Sequence, residues 1–370
     1  MSKAVIVDSD IVTPFGLGIE KCWTNLCEGH SAIKPVDRFD VSSFGCSVAA
    51  TIEGLTYHKD FSLVWQMLTQ LSPKAIPNDA ALLLATTTGE VDILEQAILE
   101  DNKQCSESQL SELLKKVYDL YGLQGKASVV SSACTSSTAA IGLAAASIES
   151  ENEDAVLIVT CDAVTEFVFT GFSSLMALDP EGARPFDAER QGLSLGEAAG
   201  YMLLMSEDRA RREHRSILGY VLGWGLSNDA NHMTGPARDG DGLARAIRLA
   251  FNNAEIDSDS IGFICAHGTG TRYNDAMEMQ AFKQVFSQPH CTFSVKGALG
   301  HTLGVAGLLE TALTLQFLKM KTIPPSSRIN KIDDDAKGWI VTNKKSHDCQ
   351  VALTTNSGFG GVNAALVISR

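Results

Sequence analysis

The chain has 370 residues, 45% hydrophobic and 20% charged, with a formal net charge of -14 at pH 7. That is apolar material for a large core in two domains or two closely packed halves, and the acidic balance argues against nucleic acid as the main partner. Nine cysteines without CxxC spacing argue against a disulfide framework or a zinc site. The chain starts almost directly with the strand-like AVIVDSD, which points to the cytoplasm, and no apolar run is expected to reach the roughly 18–20 residues that span a bilayer.

Short apolar, often β-branched runs predict strands at 4–7, 80–85, 127–131, 155–160, 201–205, 217–223, 261–266, 292–295, 351–355 and 364–369. Helical patterns lie between many of them, at 20–28, 91–99, 108–121, 242–254, 275–286 and 305–319, with an alanine-rich stretch at 139–148. Continuous apolar strands alternating with helices define an α/β protein whose sheet is covered on both faces. An internal duplication accompanies this order. ASVVSSACTSSTAAIGLAAASIE and TFSVKGALGHTLGVAGLLETAL both read strand, small-residue turn, helix, and QGLSLGEAAGYMLLMSE resembles GFGGVNAALVIS. Two related halves, 1–215 and 216–370, are expected to meet at the charged stretch EDRARREHR and to face one central site.

Four stretches carry chemistry. In SSACTSS, residues 131–137, Cys134 stands between a strand and a helix whose positive end favours thiolate, and Ala133, Ser136 and Ser137 leave room for a substrate. In ICAHGTGTRYNDAMEMQAF, residues 264–282, His267 ends a strand, where α/β proteins place ligands. Asp275 and Glu278, one helical turn further on, read as helix-start charges. In SVKGALGHTLGVAGLLE, residues 294–310, Lys296 and His301 flank a glycine turn and Glu310 follows on a helix. TTNSGFGGVNAAL, residues 354–366, sets Phe359 among glycines that permit close backbone approach.

ACTSS, AHGTGT, K-x-x-x-GH and GFGG, in that order, resemble the β-ketoacyl synthases, condensing enzymes of the thiolase fold. So do the opening stretch IVTPFGLGIEKCWTNLCEGHSAIKPVDRFD and the mid-chain GARPFDAERQGLSLGEAAGYMLL, so the resemblance covers nearly the whole chain. It implies two pseudo-duplicated halves layered α-β-α-β-α. It also implies a decarboxylative Claisen condensation with malonyl-acyl carrier protein in fatty-acid or polyketide biosynthesis, aryl polyenes included. By the same resemblance Cys134 is the acylated nucleophile, and His267 and His301 bind the malonyl thioester carbonyl, supported by Lys296 and Glu310. Thr269 and Thr271 hold the phosphopantetheine arm, and Phe359 is a gate whose backbone N–H joins that of Cys134 in an oxyanion hole. No metal and no resident cofactor are expected, because the arm arrives on the carrier protein.

One departure stands out: aligned without a gap against the family's NSFGFGG, this chain reads TNSGFGG, so Ser357 replaces the first phenylalanine. An acidic carrier needs a positive patch, and Arg209, Arg211, Arg212 and Arg215 are the candidates, against the alternative of a solvated helix face. The expected assembly is a homodimer or a heterodimer with a related subunit. Two rivals remain at this stage: a catalytically silent chain-length factor of the same fold, and a thiolase, which would carry a second cysteine near the end.

Overall fold

A computed structural model of the protein describes residues 3–100 and 109–370. Strands form at all ten predicted places: Ala4–Thr13 (β1), Ala81–Ala85 (β2), Ala127–Val130 (β3), Ala155–Asp162 (β4), Ala198–Ser206 (β5), Gly219–Asn228 (β6), Phe263–Cys265 (β7), Cys291–Phe293 (β8), Val351–Gly358 (β9) and Val362–Ser369 (β10). They pair in the order β8-β7-β9-β10-β6-β1-β5-β4-β2-β3, and Gly16–Leu17 adds to β1, giving an 11-stranded sheet. Read outward from the middle, each arm runs through the first, fifth, fourth, second and third strand of its own half. The two arms pair edge to edge through Val5 with Tyr220 and Ile6 with Gly219.

Alternation along the strands sends side chains into three apolar clusters. In β4, Val156 and Ile158 face the cluster shared by both halves, while Leu157 and Val159 face an outer one. In the other arm Phe263 and Ala352 face inward, and Ile264 and Leu353 face the second outer cluster. Leu110–Leu120 (α1) covers the outer side of the first arm, and Asp241–Ala254 (α3) with Arg272–Val285 (α4) covers that of the second. Ser136–Glu149 (α2) and Ala306–Met320 (α5) fill the shared middle, which completes the α-β-α-β-α layering.

The middle layer explains two sequence features. Helix α2 is built of small residues because α5 lies against it: a Cβ on Gly307 would stand 1.9 Å from Thr138 Oγ1. Helix α5 is mostly apolar and buried all round because both faces are covered. Its window Leu303–Met320 reaches a mean hydropathy of 1.2, long and apolar enough to cross a membrane by length and composition, yet 89% of it is buried inside the fold. The expectation that no run has this length is therefore corrected.

Helix ends shift by a few residues, as fraying and capping allow. The helix predicted from 275 begins at Arg272, capped by the Thr271 hydroxyl, and the one predicted at 108–121 spans Leu110–Leu120, with Ser108 outside the described residues. Leu63–Leu68 and Glu166–Ser174 are additional helices that the apolar periodicity did not mark.

Candidate active site

The turn between β3 and α2 is tied by its own hydroxyls. Thr135 Oγ1 donates to the Ser132 carbonyl at 2.7 Å, and Ser136 Oγ donates to the Ala133 carbonyl at 2.6 Å while accepting the Ser132 N–H. Ala133 is thereby held at φ 47°, a left-handed conformation that a side chain rarely adopts. The sharp turn delivers Cys134 to the wall of a cleft of about 580 Å³. Glycine at 358 lets the end of β9 close over it, since a Cβ there would lie 3.1 Å from the Cys134 nitrogen.

The thiol is reachable but not ionised at rest. Cys134 is 7% exposed, and burial pushes its pKa up to about 11. The Lys296 charge and the backbone N–H groups of Phe359 and Cys134 pull the other way and only partly offset that. Where the helix end suggested thiolate, burial outweighs the Lys296 charge and the backbone N–H groups and favours the thiol.

His267 follows β7 on a turn that two carboxylates hold from below. Glu278 accepts the backbone N–H of His267 at 2.8 Å and of Gly268 at 2.6 Å. Asp275 accepts those of Gly270 at 3.2 Å and Phe186 at 2.7 Å. Asp275 does stand in the first turn of its helix, as the sequence suggested, but both carboxylates are buried and hold the turn above; burial, with Asp275 adding to it, raises the Glu278 pKa to about 8.

Both imidazoles use Nδ1 as an acceptor. The Leu303 backbone N–H donates to His301 Nδ1 at 3.1 Å, and Asn356 Nδ2 lies 3.2 Å from His267 Nδ1. With Nδ1 occupied in this way, the proton of each neutral ring sits on Nε2. Burial, then the Lys296 charge, holds both pKa values well below the usual histidine range, and His301 adds to the effect on His267. The ring centroids are 5.1 Å apart at 84°, and donor atoms of Cys134, His267 and His301 lie within 4.8 Å of one another. Such a trio resembles a metal site by residue type. Ligation through Nε2 would require a proton on each Nδ1, facing the Leu303 and Asn356 donors, so this arrangement suits an oxyanion better than a cation.

Lys296 and Glu310 form a buried ion pair behind the rings. Asn356 joins it, donating to Glu310 Oε2 at 2.8 Å while its oxygen accepts from Thr138 of the other half. Sequence reasoning missed Asn356, which stands among Thr354, Thr355 and Ser357 with no local signal to single it out. Nearer the mouth, Thr269 and Thr271 bring their hydroxyls 3.0 Å apart, and the Phe359 ring stacks on Phe172 at 5.7 Å. Ser357, in the phenylalanine's place, is buried and donates to Asn363 at 2.7 Å. Rim and cleft also include Arg272, Tyr273 and Arg238, the last with its guanidinium 4.9 Å above the Tyr273 ring.

The arginine patch on the helix Glu207–Arg212 does not belong to this site. Arg209 pairs with Asp79 and Glu213, Arg211 with Glu207, and Arg215 with Glu213, which cancels the free positive charge; Arg212 is exposed beside them. The helix leaves β5 at Ser206, whereas Asp162 at the cleft end of β4 pairs with Ala198 at the start of β5. At about 3.3 Å per residue the arginines lie a strand's length from the cleft.

A family model described as beta-ketoacyl synthase, N-terminal domain, matches residues 116–210, and its C-terminal counterpart matches 218–330. The 3-oxoacyl-[acyl-carrier-protein] synthase 2 of Vibrio cholerae is 27% identical over 409 residues, covering 100% of this chain and 99% of that protein. A putative polyketide beta-ketoacyl synthase 1 of Streptomyces virginiae is 26% identical over 411 residues, covering 99% and 97%. A solved structure described as the ishigamide ketosynthase/chain length factor superposes with a TM-score of 0.91 at 29% identity, covering 100% of this chain and 99% of that one.

Proposed function

The chain belongs to the β-ketoacyl synthase family of acyltransferases, with their thiolase-like fold, and on that premise we propose that it is an active condensing enzyme working through Cys134. One observation carries the reading: a buried thiol on the cleft wall lies beside two imidazoles of the other half, within 4.8 Å between their ligand atoms, and the Nδ1 of each ring is already taken by a donor.

In the first stage Cys134 attacks the thioester of an acyl carrier, the carbonyl oxygen taking hydrogen bonds from the backbone N–H groups of Cys134 and Phe359. The acyl group moves to Sγ, and the cysteine's proton ends on the departing pantetheine sulfur, which removes any need for a free thiolate at rest. In the second stage the malonyl thioester loses CO2, and the electron pair of the broken C–C bond becomes an enolate. His267 and His301 donate Nε2–H to the enolate oxygen as its charge develops. The enolate carbon attacks the Cys134 thioester, the new C–C bond forms, and the released sulfur takes one proton from water. Lys296 keeps both rings neutral, because a nearby cation disfavours imidazolium. Glu310 and Asn356 hold that lysine and the His267 ring in place.

The phosphopantetheine arm enters past Thr269 and Thr271 and is the only prosthetic group the reaction uses. Its acidic carrier docks at the rim, where exposed Arg238, Arg272 and Tyr273 replace the arginine patch as the complementary surface. The division at 215–216 then separates the nucleophile from its electrostatic partners. Among the described residues strand β3 ends the sheet path with Ala127 and Ser128 exposed, an edge suited to a second copy or a related subunit of this cytoplasmic enzyme. A silent chain-length factor gives no reason for a reachable thiol beside two such imidazoles. Intact-protein mass spectrometry tests the choice: with an acyl-carrier protein the wild type gains one acyl group and Cys134→Ala gains none, whereas equal mass gain would refute the reading.

A further inference from the structure

At the cleft end of β4 stands Asp162, 0% exposed, with no ion pair to it among the described residues. Its Oδ1 accepts from Thr86 Oγ1 at 2.9 Å, from the Thr87 and Thr88 backbone N–H groups at 3.0 Å and from Thr88 Oγ1 at 3.1 Å, all in its own half. Its Oδ2 reaches across to the other half and accepts the Gly304 N–H at 2.8 Å. A carboxylate saturated by neutral donors from two halves is a tie between them.

What it ties is the turn that orients His301. Leu303, whose N–H donates to His301 Nδ1, is held at φ 53°, a left-handed conformation costly for leucine, and the next residue is the anchored Gly304. Glycine is required there, since a Cβ would stand 2.8 Å from Asp162 Oδ2. We propose that Asp162 is a positioning residue: by anchoring Gly304 it keeps the Leu303 N–H on His301 Nδ1, and so keeps the ring's Nε2–H aimed at the developing enolate oxygen. This rests on the condensing role proposed above. Nothing in the reaction touches Asp162 itself; it acts through the turn.

The isosteric Asp162→Asn replaces one acceptor oxygen by a donor NH2 and leaves the turn without its anchor. Three quantities are compared with the wild type: acyl loading of Cys134 by intact mass, malonyl-carrier decarboxylation, and the His301 ring tautomer by 15N-labelled histidine NMR. Loading is expected to stay within about threefold, decarboxylation to fall at least about tenfold, and His301 to pass from a single Nε2–H tautomer to a mixture. Gly304→Ala, which keeps the charge but wedges the contact apart, is expected to give the same pattern. The proposal is overturned if decarboxylation falls no more than loading in a folded variant, or if the tautomer does not change. If neither variant folds, the wild type decides: a proton on His301 Nδ1 overturns the proposal, and a proton on Nε2 with Nδ1 hydrogen-bonded supports it. A wild type that neither loads nor decarboxylates refutes the condensing role instead, and the NMR result is read separately.

Discussion

The two halves of the molecule build the same strand-turn-helix unit and use it differently. In the first, β3 passes to α2 through residues 131–135, a connection just long enough to turn the chain and present one thiol. In the second, β8 passes to α5 through residues 294–305, and the added length holds the short helix Lys296–Leu299, His301 and the turn at Leu303. A tight turn suits a nucleophile, which needs a single exposed atom. A long, fully buried connection suits electrostatic groups, which need their protonation state and orientation fixed. The halves are then stitched across the cleft by Asp162 to Gly304, Thr138 to Asn356 and Ser137 to Leu308. The two scaffolds match in strand order, and the longer connection in the second is where the proposed reaction places its electrostatic groups.

If that division holds, the two connections fail in different ways. The largest effect comes from removing the thiol: Cys134→Ala abolishes acyl loading and condensation together. His301→Ala still loads but condenses on the order of 100-fold or more slowly, which separate loading and product assays would reveal. Replacing Lys296 by methionine removes the second of the causes that hold the histidine pKa values down, so both rise, while burial, the larger cause, still keeps them below the ordinary range. The acid limb of the decarboxylation pH profile then moves to higher pH than in the wild type, which a pH–rate series on both proteins reads. On the nucleophile side, alkylation of the resting thiol by iodoacetamide climbs steadily with pH toward about 11 and shows no plateau near neutrality. Arg238→Glu at the rim raises KM for the carrier several-fold in low salt, whereas Arg211→Glu, already paired and remote, leaves it unchanged. The smallest change concerns the seam: Gly307→Ala overpacks against Thr138 and lowers stability by about 1–3 kcal/mol, read by urea denaturation.

The sheet was legible because each strand is a short apolar run punctuated by glycine or polar turns, and both helices of the middle layer announced themselves through small or mostly apolar residues. Cys134, His267, Lys296, His301 and Glu310 were legible because their motifs are local. Asn356 and Asp162 were not, since each draws its meaning from a partner in the other half, and nothing in the neighbouring sequence marks a polar side chain as a cross-tie. Asp275 and Glu278 looked like ordinary helix-start charges for the same reason: their N–H partners come from the turn folded back over them. The state of Cys134 was misjudged by weighing the helix end, a local feature, without the burial that only the packed halves create. For the arginines of the helix Glu207–Arg212 the alternative of a helix face was also legible, since Glu207 and Glu213 stand at helical spacing to pair with Arg211 and Arg209.

The most direct measurement is peptide mapping by mass spectrometry after incubation with an acyl-carrier protein, followed by addition of malonyl-carrier protein. The account predicts that the acyl group sits on Cys134 and then leaves it as a β-ketoacyl product two carbons longer, with CO2 released. Cys134 found unmodified while product forms, or an acyl group that stays on it when the malonyl carrier is supplied, would contradict the division of chemistry between the halves.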